Sequence, residues 1–234
     1  MSSEKELLEL SKPEFWDNRY ASHLSKNNEE GNGASAENDE QQQQQQEIPS
    51  FEWFRDYNKL RVFFRKWLPS PEGGETVLHL GCGNSTLTSD LYSEGYKNQI
   101  SVDFSQVVIA AMSSKYAELG QQWTVMDVRR LEFEDASIDV AIDKGTLDAF
   151  LHGSLWDPPE DVRVNVGEYV NQVARVLKPG GKWLYITYRQ PHFMKPLLIR
   201  EDKWSLEVET LVDPDGGGGF EYFGFVMTRH GNPP

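Results

Sequence analysis

The sequence predicts an α/β fold in which helices cover both faces of a mostly parallel, seven-stranded sheet that ends in an antiparallel hairpin. Five short apolar segments alternate with segments of helical period, which is typical of parallel strands joined by crossover helices. A glycine turn follows the first apolar segment, at residues 81–83. Residues 204–212 and 220–228 alternate apolar and polar side chains around the sequence DPDGGGG, which indicates two hairpin strands. Together these observations predict a Rossmann-like sheet.

The individual elements follow from periodicity and from the residues that start or stop them. Pro13 suits a first helical turn, so the helical segment 4–22 is expected to restart there. Pro69 and Pro71 end the helix predicted at 54–68. The parallel strands are predicted at residues 76–80, 99–103, 123–127, 138–142 and 182–188, and the helices between them at 86–95, 105–119 and 162–177.

The chain divides by composition into three parts of a single domain. Residues 76–234 are predicted to form the sheet core, and residues 1–24 and 50–75 an N-terminal helical segment that we call the lid. Residues 25–49 are rich in Gln, Asn and Glu and have almost no apolar side chains. Such a segment cannot bury enough surface to offset chain entropy, so a disordered insertion is expected there.

Composition excludes several classes of function. The formal net charge of −14 argues against non-specific nucleic-acid binding, since phosphates would be repelled. The chain lacks an apolar run of about 18 residues and begins with the acidic MSSEKELLEL, so neither a membrane span nor a signal peptide is expected. Cys82 is the only cysteine, and the five histidines lack metal-ligand spacing. We expect a cytoplasmic protein without a metal ion, and a monomer, although no feature defines the oligomeric state.

The glycine turn and a later acid predict a nucleoside-binding site. Glycine lets a ligand pass close to the backbone, and an acid ending the next strand can accept hydrogen bonds from two ribose hydroxyls. Gly81 and Gly83 supply the turn, and Asp103 follows Gly81 by 22 residues. Thr86 stands where a dinucleotide fingerprint has its third glycine. The pattern favours S-adenosylmethionine over a nicotinamide dinucleotide, whereas the glycines alone are also compatible with a tight turn that binds nothing.

Further side chains are expected at the same edge, because ligands of open parallel sheets lie beyond the carboxyl ends of the strands. Asp127 is placed to accept a hydrogen bond from the exocyclic amine of adenine, and the Val128 amide is expected to face a ring nitrogen. Asp143 and Lys144 follow the fourth strand, next to the expected methionine end. For Asp127 the alternative is an ordinary acid in a loop, and for Asp143 and Lys144 it is a surface turn without a ligand. A hairpin after the fifth strand is also how a class I methyltransferase sheet ends.

The expected reaction requires a positioned acceptor. Methyl transfer from a sulfonium is an in-line displacement, so positioning the nucleophile supplies much of the catalysis. A lysine acceptor must be neutral, and from a free pKa of ~10.4 its deprotonation at pH 7 costs about 4.6 kcal/mol. Desolvation lessens this cost, and acidic and aromatic neighbours would stabilise the ammonium product. Trp53, Asp148, Tyr188 and His192 are candidates for this acceptor wall.

Eight motifs resemble the eukaryotic elongation factor 1A lysine methyltransferases, in particular the branch linked to endothelin-converting enzyme and the N-terminal domain of the dual lysine and N-terminus methyltransferase. They are FWDNRY, FEWF, LHLGCGNS, SVDFS, MDVRRLEF, DKGTLDA, VLKPGG and QPHF, within residues 14–24 and 50–230. The resemblance implies a methyltransferase core at 76–234, S-adenosylmethionine as cofactor with S-adenosylhomocysteine as product, and elongation factor 1A as protein substrate. It implies cofactor contacts at Trp16, Tyr20, Phe51, Gly81, Asp103, Phe104, Asp127, Val128 and Lys144.

Three features depart from the family pattern. The family commonly has tyrosine where Phe51 stands and often glutamate where Asp143 stands, and the insertion at 25–49 lengthens a connection that is usually short. Cofactor binding is expected to survive these changes, whereas the substrate is less firmly implied. A methyltransferase of small thiols, hydroxyls or amines is the alternative function. A catalytically silent cofactor-binding scaffold is a third hypothesis, which the intact Gly81, Gly83, Asp103 and Asp127 disfavour.

Overall fold

A computed structural model describes residues 4–30, 49–212 and 220–231, in which strands and helices alternate as predicted. The helices are α1 (Glu4–Glu9), α2 (Pro13–Glu30), α3 (Tyr57–Trp67), α4 (Leu87–Ser93), α5 (Gln106–Lys115), α6 (Glu160–Val176) and α7 (Pro191–Leu198). The strands are β1 (Val77–Leu80), β2 (Gln99–Asp103), β3 (Gln122–Val125), β4 (Ile138–Lys144), β5 (Leu177–Thr187), β6 (Trp204–Leu211) and β7 (Tyr222–Arg229).

Within the described part of the chain, seven strands form one sheet in the order β3-β2-β1-β4-β5-β7-β6. β1 to β5 are parallel, and β7 pairs antiparallel with both β5 and β6, which confirms the predicted sheet and hairpin. The DPDGGGG turn at residues 213–219 lies outside the described ranges. The strand order reverses at β1, which has β2 on one side and β4 on the other. Ligands of open α/β sheets bind at such a switch point.

Helices cover both faces of the sheet because side chains along its central strands point alternately to two cores. On one face, α6 and α7 pack against Trp183 and Tyr185 of β5. On the other face, α3 and α4 pack against Leu184 and Ile186 of the same strand. All four side chains are fully buried, and burial of each aliphatic one contributes about 1.5–3 kcal/mol. A third cluster joins Tyr20 of α2 to α5, which places the lid beside the glycine turn.

The N-terminal helix divides where the sequence predicts. α1 ends at Glu9 and α2 begins at Pro13. α2 continues to Glu30, so the first six residues of the segment 25–49, expected to be disordered, are helical. Residues 31–48 lie outside the described ranges, and the division of the chain into lid, insertion and core stays a prediction.

α7 and the two ends of the parallel sheet differ from the prediction. α7 is eight residues long and contains Pro196, so its periodicity is too short to indicate a helix. β5 begins at Leu177 rather than at Lys182, and its register with β4 shifts after Ile138. β3 ends at Val125, two residues before Asp127.

The described ranges contain no helix long and apolar enough to cross a membrane. They also contain no cluster of His, Cys, Asp or Glu side chains that could hold a metal ion.

Candidate active site

A cavity of about 1200 Å³, including its opening to solvent, lies at the switch point beyond the carboxyl ends of β1, β2 and β4. The glycine turn forms its floor, and α1, α2 and residues 51–54 of the lid form the opposite side. Sequence-predicted residues line it at Trp16, Tyr20, Phe51, Trp53, Gly81, Gly83, Asp103, Phe104, Val128, Lys144, Asp148 and Tyr188. Three other residues that the sequence placed at the site, Asp127, Asp143 and His192, do not line it.

The glycine turn is closely packed from behind. Gly81 has a φ of +63°, and a Cβ there would lie 2.2 Å from Thr146 Oγ1. That hydroxyl donates to the Leu80 carbonyl at 2.7 Å, which fixes the turn to the segment after β4. Gly83 has a φ of +52°, and its missing Cβ would lie 3.0 Å from the Tyr20 hydroxyl. Both positions therefore favour glycine, and the backbone is exposed to the cavity.

Asp103 ends β2 and links the turn to α5. Its carboxylate accepts hydrogen bonds from the Gly83 amide at 2.9 Å and from the Ser105 amide at 2.9 Å. Burial raises the pKa of Asp103 to about 6, although these two hydrogen bonds oppose the shift. Each carboxylate oxygen can accept a further hydrogen bond, so the side chain can hold two hydroxyl groups of a ligand.

The lid presents an aromatic cluster to the cavity. The ring of Trp16 lies 5.9 Å from those of Tyr20 and Trp53, and Trp53 lies 5.2 Å from Phe51. The Arg19 guanidinium lies 5.5–6.0 Å from three of these rings, a cation–π contact that the sequence did not indicate. The predicted aromatic residues are therefore brought together, although residues 16–20 and 51–53 are far apart in the sequence.

Glu52 is a site residue that sequence reasoning missed. Its carboxylate accepts hydrogen bonds from the Thr86 amide at 2.6 Å, the Ser85 hydroxyl at 2.8 Å and the Lys144 ammonium at 2.9 Å. Lys144 also donates to the Trp53 carbonyl at 3.0 Å. Burial lowers the pKa of Lys144, and Glu52 opposes that shift. In the sequence, the position of this acid between the aromatic residues of FEWF could have indicated its role. In the structure, Glu52 connects the lid to the glycine turn.

Asp148 lines the cavity from the turn after β4, where it is part of a buried network. It accepts hydrogen bonds from the Tyr185 hydroxyl at 2.7 Å, the Thr187 hydroxyl at 2.8 Å and Arg189 Nε at 3.0 Å. Burial raises the pKa of Asp148, and the Arg189 charge opposes the shift. Arg189 lines the cavity and was also missed by sequence reasoning. Tyr188, which is 44% exposed, lies at the rim beside it.

Asp143 does not face the expected methionine end. It accepts hydrogen bonds from the Thr146 amide at 2.7 Å, the Leu147 amide at 3.0 Å and the Tyr169 hydroxyl at 2.8 Å. Burial raises the pKa of Asp143 to about 7. The side chain therefore shapes the turn after β4 from beneath, and its neighbours Ile142 and Lys144 line the cavity instead.

Asp127 and His192 are placed differently from the expectation. Asp127 forms an ion pair with Arg129, whose Nη2 lies 2.6 Å from the carboxylate and whose amide also donates to it at 2.9 Å. Its neighbours Met126 and Val128 line the cavity instead. His192 is the second residue of α7 and lies outside the cavity, with its ring 5.4 Å from that of Trp156.

Known proteins resemble this chain in sequence and in fold. The family described as "Methyltransferase domain" matches residues 78–185. "EEF1A lysine methyltransferase 4" of Mus musculus is 37% identical over 183 residues, which cover 76% of this chain and 69% of that protein. "eEF1A lysine and N-terminal methyltransferase" of Homo sapiens is 33% identical, over 77% of this chain and 26% of that protein. A solved S-adenosylmethionine dependent methyltransferase from Mesorhizobium loti shares the fold, with a TM-score of 0.55 and 17% identity over 73% of this chain and 98% of that one.

The seven-stranded sheet, the cavity at its switch point and the matching domain together define a class I S-adenosylmethionine-dependent methyltransferase. The match to the mouse protein extends over most of both chains at an identity above 30%. The chain belongs to the family of eEF1A lysine methyltransferases, which confirms the resemblance stated from its motifs.

Replacing Glu52 by glutamine is expected to weaken S-adenosylmethionine binding by about tenfold, because one charge-assisted hydrogen bond contributes roughly 1.5–3 kcal/mol. Glutamine can still accept from the Thr86 amide but loses the ion pair with Lys144. Asp90→Asn is the matched control, since Asp90 accepts from the Thr86 hydroxyl at 2.7 Å but is not the ion-pair partner of Lys144. Isothermal titration calorimetry measures both variants, and equal affinities would contradict the assigned role of Glu52.

Proposed function

We propose that this protein transfers a methyl group from S-adenosylmethionine to a neutral lysine amine of translation elongation factor 1A. The main support is that a single cavity is lined both by Gly81 and Asp103 and by the acceptor-side residues Trp53, Asp148 and Tyr188. The relatives' names, "EEF1A lysine methyltransferase 4" and "eEF1A lysine and N-terminal methyltransferase", support the choice of substrate.

The residues of the cavity fit the cofactor. Gly81 and Gly83 expose the backbone of the turn to the cavity, and Asp103 retains acceptor capacity for the ribose hydroxyls. The lid aromatics supply apolar surface, with Trp16 and Tyr20 opposite the turn. Val128 would bind the adenine ring. When bound, S-adenosylmethionine supplies an electrophilic methyl group on its sulfonium.

Cofactor affinity is expected to fall below pH 6. The pKa of Asp103 is raised to about 6, so its carboxyl becomes protonated as the pH decreases through that value. Only the ionised form accepts hydrogen bonds on both oxygens, and binding should therefore weaken by about tenfold per pH unit below 6. Calorimetric titration between pH 5 and 8 measures this dependence. Asp103→Asn should bind weakly with a flatter profile, and a wild-type affinity that is constant over this range would contradict the assignment.

The acceptor side is suited to a neutral amine. The Arg189 guanidinium lines the cavity, and a neighbouring positive charge disfavours a second cation, as does desolvation. Asp148 already accepts three hydrogen bonds, so we assign it a positioning role through Arg189 rather than the role of a base. The proton of the incoming ammonium can leave to water at the open rim. The faces of Trp53 and Tyr188 would then stabilise the methylated ammonium product.

Localisation and partners follow from the proposed substrate. Elongation factor 1A works in translation, so we place the enzyme in the cytoplasm, which agrees with a chain whose only cysteine is Cys82. The net charge of −14 favours a basic protein partner over nucleic acid. We propose a monomer with no metal ion.

Labelled methyl transfer into a cell extract tests the proposal against its alternative. We expect label in one protein that is identified as elongation factor 1A, and loss of that label with Asp103→Ala. Label found only in small molecules would favour a small-molecule methyltransferase. No transfer to any acceptor, together with intact cofactor binding, would favour a silent scaffold.

A further inference from the structure

An exposed aromatic cluster lies outside the cavity. The Trp156 ring centroid is 4.9 Å from that of Phe193 and 5.4 Å from that of His192. Trp156 is nevertheless 80% exposed, one of the highest values for a large apolar side chain in the described ranges. We call Trp156, His192 and Phe193 the Trp156 patch. Exposed tryptophan is enriched at sites of protein–protein contact.

The Trp156 patch is formed by two chain segments, and each of them begins at a residue that lines the acceptor side of the cavity. The turn Leu147–Phe150, which includes Asp148, leads into the loop that carries Trp156. Arg189 lines the cavity, and His192 follows it by three residues, so their Cα atoms are separated by at most about 10 Å. The two segments meet again at the patch, which therefore lies beside the cavity entrance.

The Trp156 patch is held in place by the core beneath it. Leu155 packs against the main hydrophobic cluster, directly before Trp156. Met194 and Leu198 of α7 are fully buried in the same cluster. The patch is thus presented on anchored segments, which lowers the entropy cost of binding a partner.

The loop that carries Trp156 is acidic, whereas α7 contributes the basic Lys195 to the other half of the patch. Residues 151–163 contain three acids and one basic residue, Arg163. Asp157 pairs with Arg163, and Asp161 pairs with His152 at 2.8 Å, whereas Glu160 has no ion-pair partner in the described part of the chain. A tryptophan face and a carboxylate together attract a cationic side chain. A second copy of this chain would instead bring a like net charge of −14.

We propose that the Trp156 patch docks a cationic segment of the protein substrate while a neighbouring lysine of that substrate enters the cavity. The inference rests on the proposed function and assigns it a substrate-recognition surface outside the reacting site. Trp156 contacts a lysine or arginine side chain through its indole face, and Glu160 pairs with a second basic residue. A small-molecule acceptor bound in the cavity would not contact this surface.

Steady-state kinetics with purified elongation factor 1A test the docking role. Trp156→Ala is expected to raise the KM for the protein substrate about tenfold, as expected for loss of an interface anchor. Its kcat at saturation and its affinity for S-adenosylmethionine should stay within about twofold of wild type. Val62→Ala removes another apolar side chain, 74% exposed on α3, and should leave the KM unchanged. Glu160→Lys should raise the KM at low salt and less so at high salt.

The outcomes separate this inference from the proposed function. If the wild-type enzyme methylates the elongation factor and neither Trp156→Ala nor Glu160→Lys changes the KM, the docking role is overturned alone. If the wild type transfers no methyl group to the factor, both proposals fail. A wild-type dimer that Trp156→Ala converts to a monomer in sedimentation would show that the patch binds a second copy, which also overturns it.

Discussion

Replacing Gly81 by alanine is expected to weaken S-adenosylmethionine binding roughly 100-fold, since left-handed strain costs about 1–2 kcal/mol and overpacking about 1–3 kcal/mol more. The new Cβ would lie 2.2 Å from Thr146 Oγ1 and 2.6 Å from its Cγ2. Thr146 cannot easily retreat, because its hydroxyl donates to the Leu80 carbonyl and its amide donates to Asp143. The turn must therefore shift toward the cavity and away from Asp103.

Gly120→Ala is the matched control for this prediction. Gly120 has nearly the same backbone conformation, with a φ of +64°, but a Cβ there meets no atom within 4 Å. It should lose stability by about 1 kcal/mol and keep its cofactor affinity. Calorimetric titration and thermal unfolding of both variants distinguish steric loss of the site from general strain. Equal cofactor affinity of Gly81→Ala and wild type would show that the cofactor does not lie over this turn.

Replacing Asp148 by asparagine is expected to reduce kcat by about 100-fold, the scale of losing a group that orients the acceptor. It should also lower the free energy of unfolding by about 3–5 kcal/mol, because the largely buried Arg189 charge loses its partner. Asparagine keeps only one acceptor oxygen, so either the Tyr185 or the Thr187 hydroxyl also loses its hydrogen-bond acceptor. The affinity for S-adenosylmethionine should change little, since Asp148 lies on the acceptor side.

The double variant Asp148→Asn with Arg189→Gln separates stability from turnover. Removing both charges should restore much of the melting temperature, which the single change lowers by about 10 °C, because no unpaired buried charge is left. Turnover should stay low, since the arrangement at the acceptor wall is still absent. Full recovery of kcat in the double variant would mean that Asp148 acts only on stability.

The fold could be predicted because its signals are local and repeated. Each parallel strand is a short apolar run, and each helix between strands shows its own periodicity, so errors at single boundaries do not change the topology. Gly81, Gly83 and Asp103 were found because turn geometry and strand ends restrict the residue types allowed there. α7 was missed because eight residues with an internal proline give no readable period.

The direction of side chains at strand ends could not be predicted from spacing. Successive residues of a strand point to opposite faces, so of Asp143 and Lys144 only one can face the cavity. Register with β1 and contact with Tyr169 of α6 turn Asp143 inward. Asp127 lies two residues beyond β3 and is held by Arg129, a neighbour that the acid's position alone does not reveal.

Contacts between distant segments were the other gap. Glu52 and Arg189 acquire their roles from partners far away in the sequence, Lys144 and Asp148 respectively. Their motifs, FEWF and the end of β5, mark the neighbourhood but do not give the pairing. The aromatic lid could be anticipated only through family resemblance, because Trp16 and Tyr20 on one helix face are equally compatible with simple core packing.

In our proposal, the cavity delivers a methyl group to a lysine of elongation factor 1A. The most direct test of this proposal is incubation of the purified protein with S-adenosylmethionine and recombinant elongation factor 1A, followed by peptide mass spectrometry. We expect a methylated lysine in the factor with wild-type enzyme and an unmodified factor with Asp103→Ala. A wild-type enzyme that binds S-adenosylmethionine yet leaves every lysine of the factor unmodified would contradict the proposal.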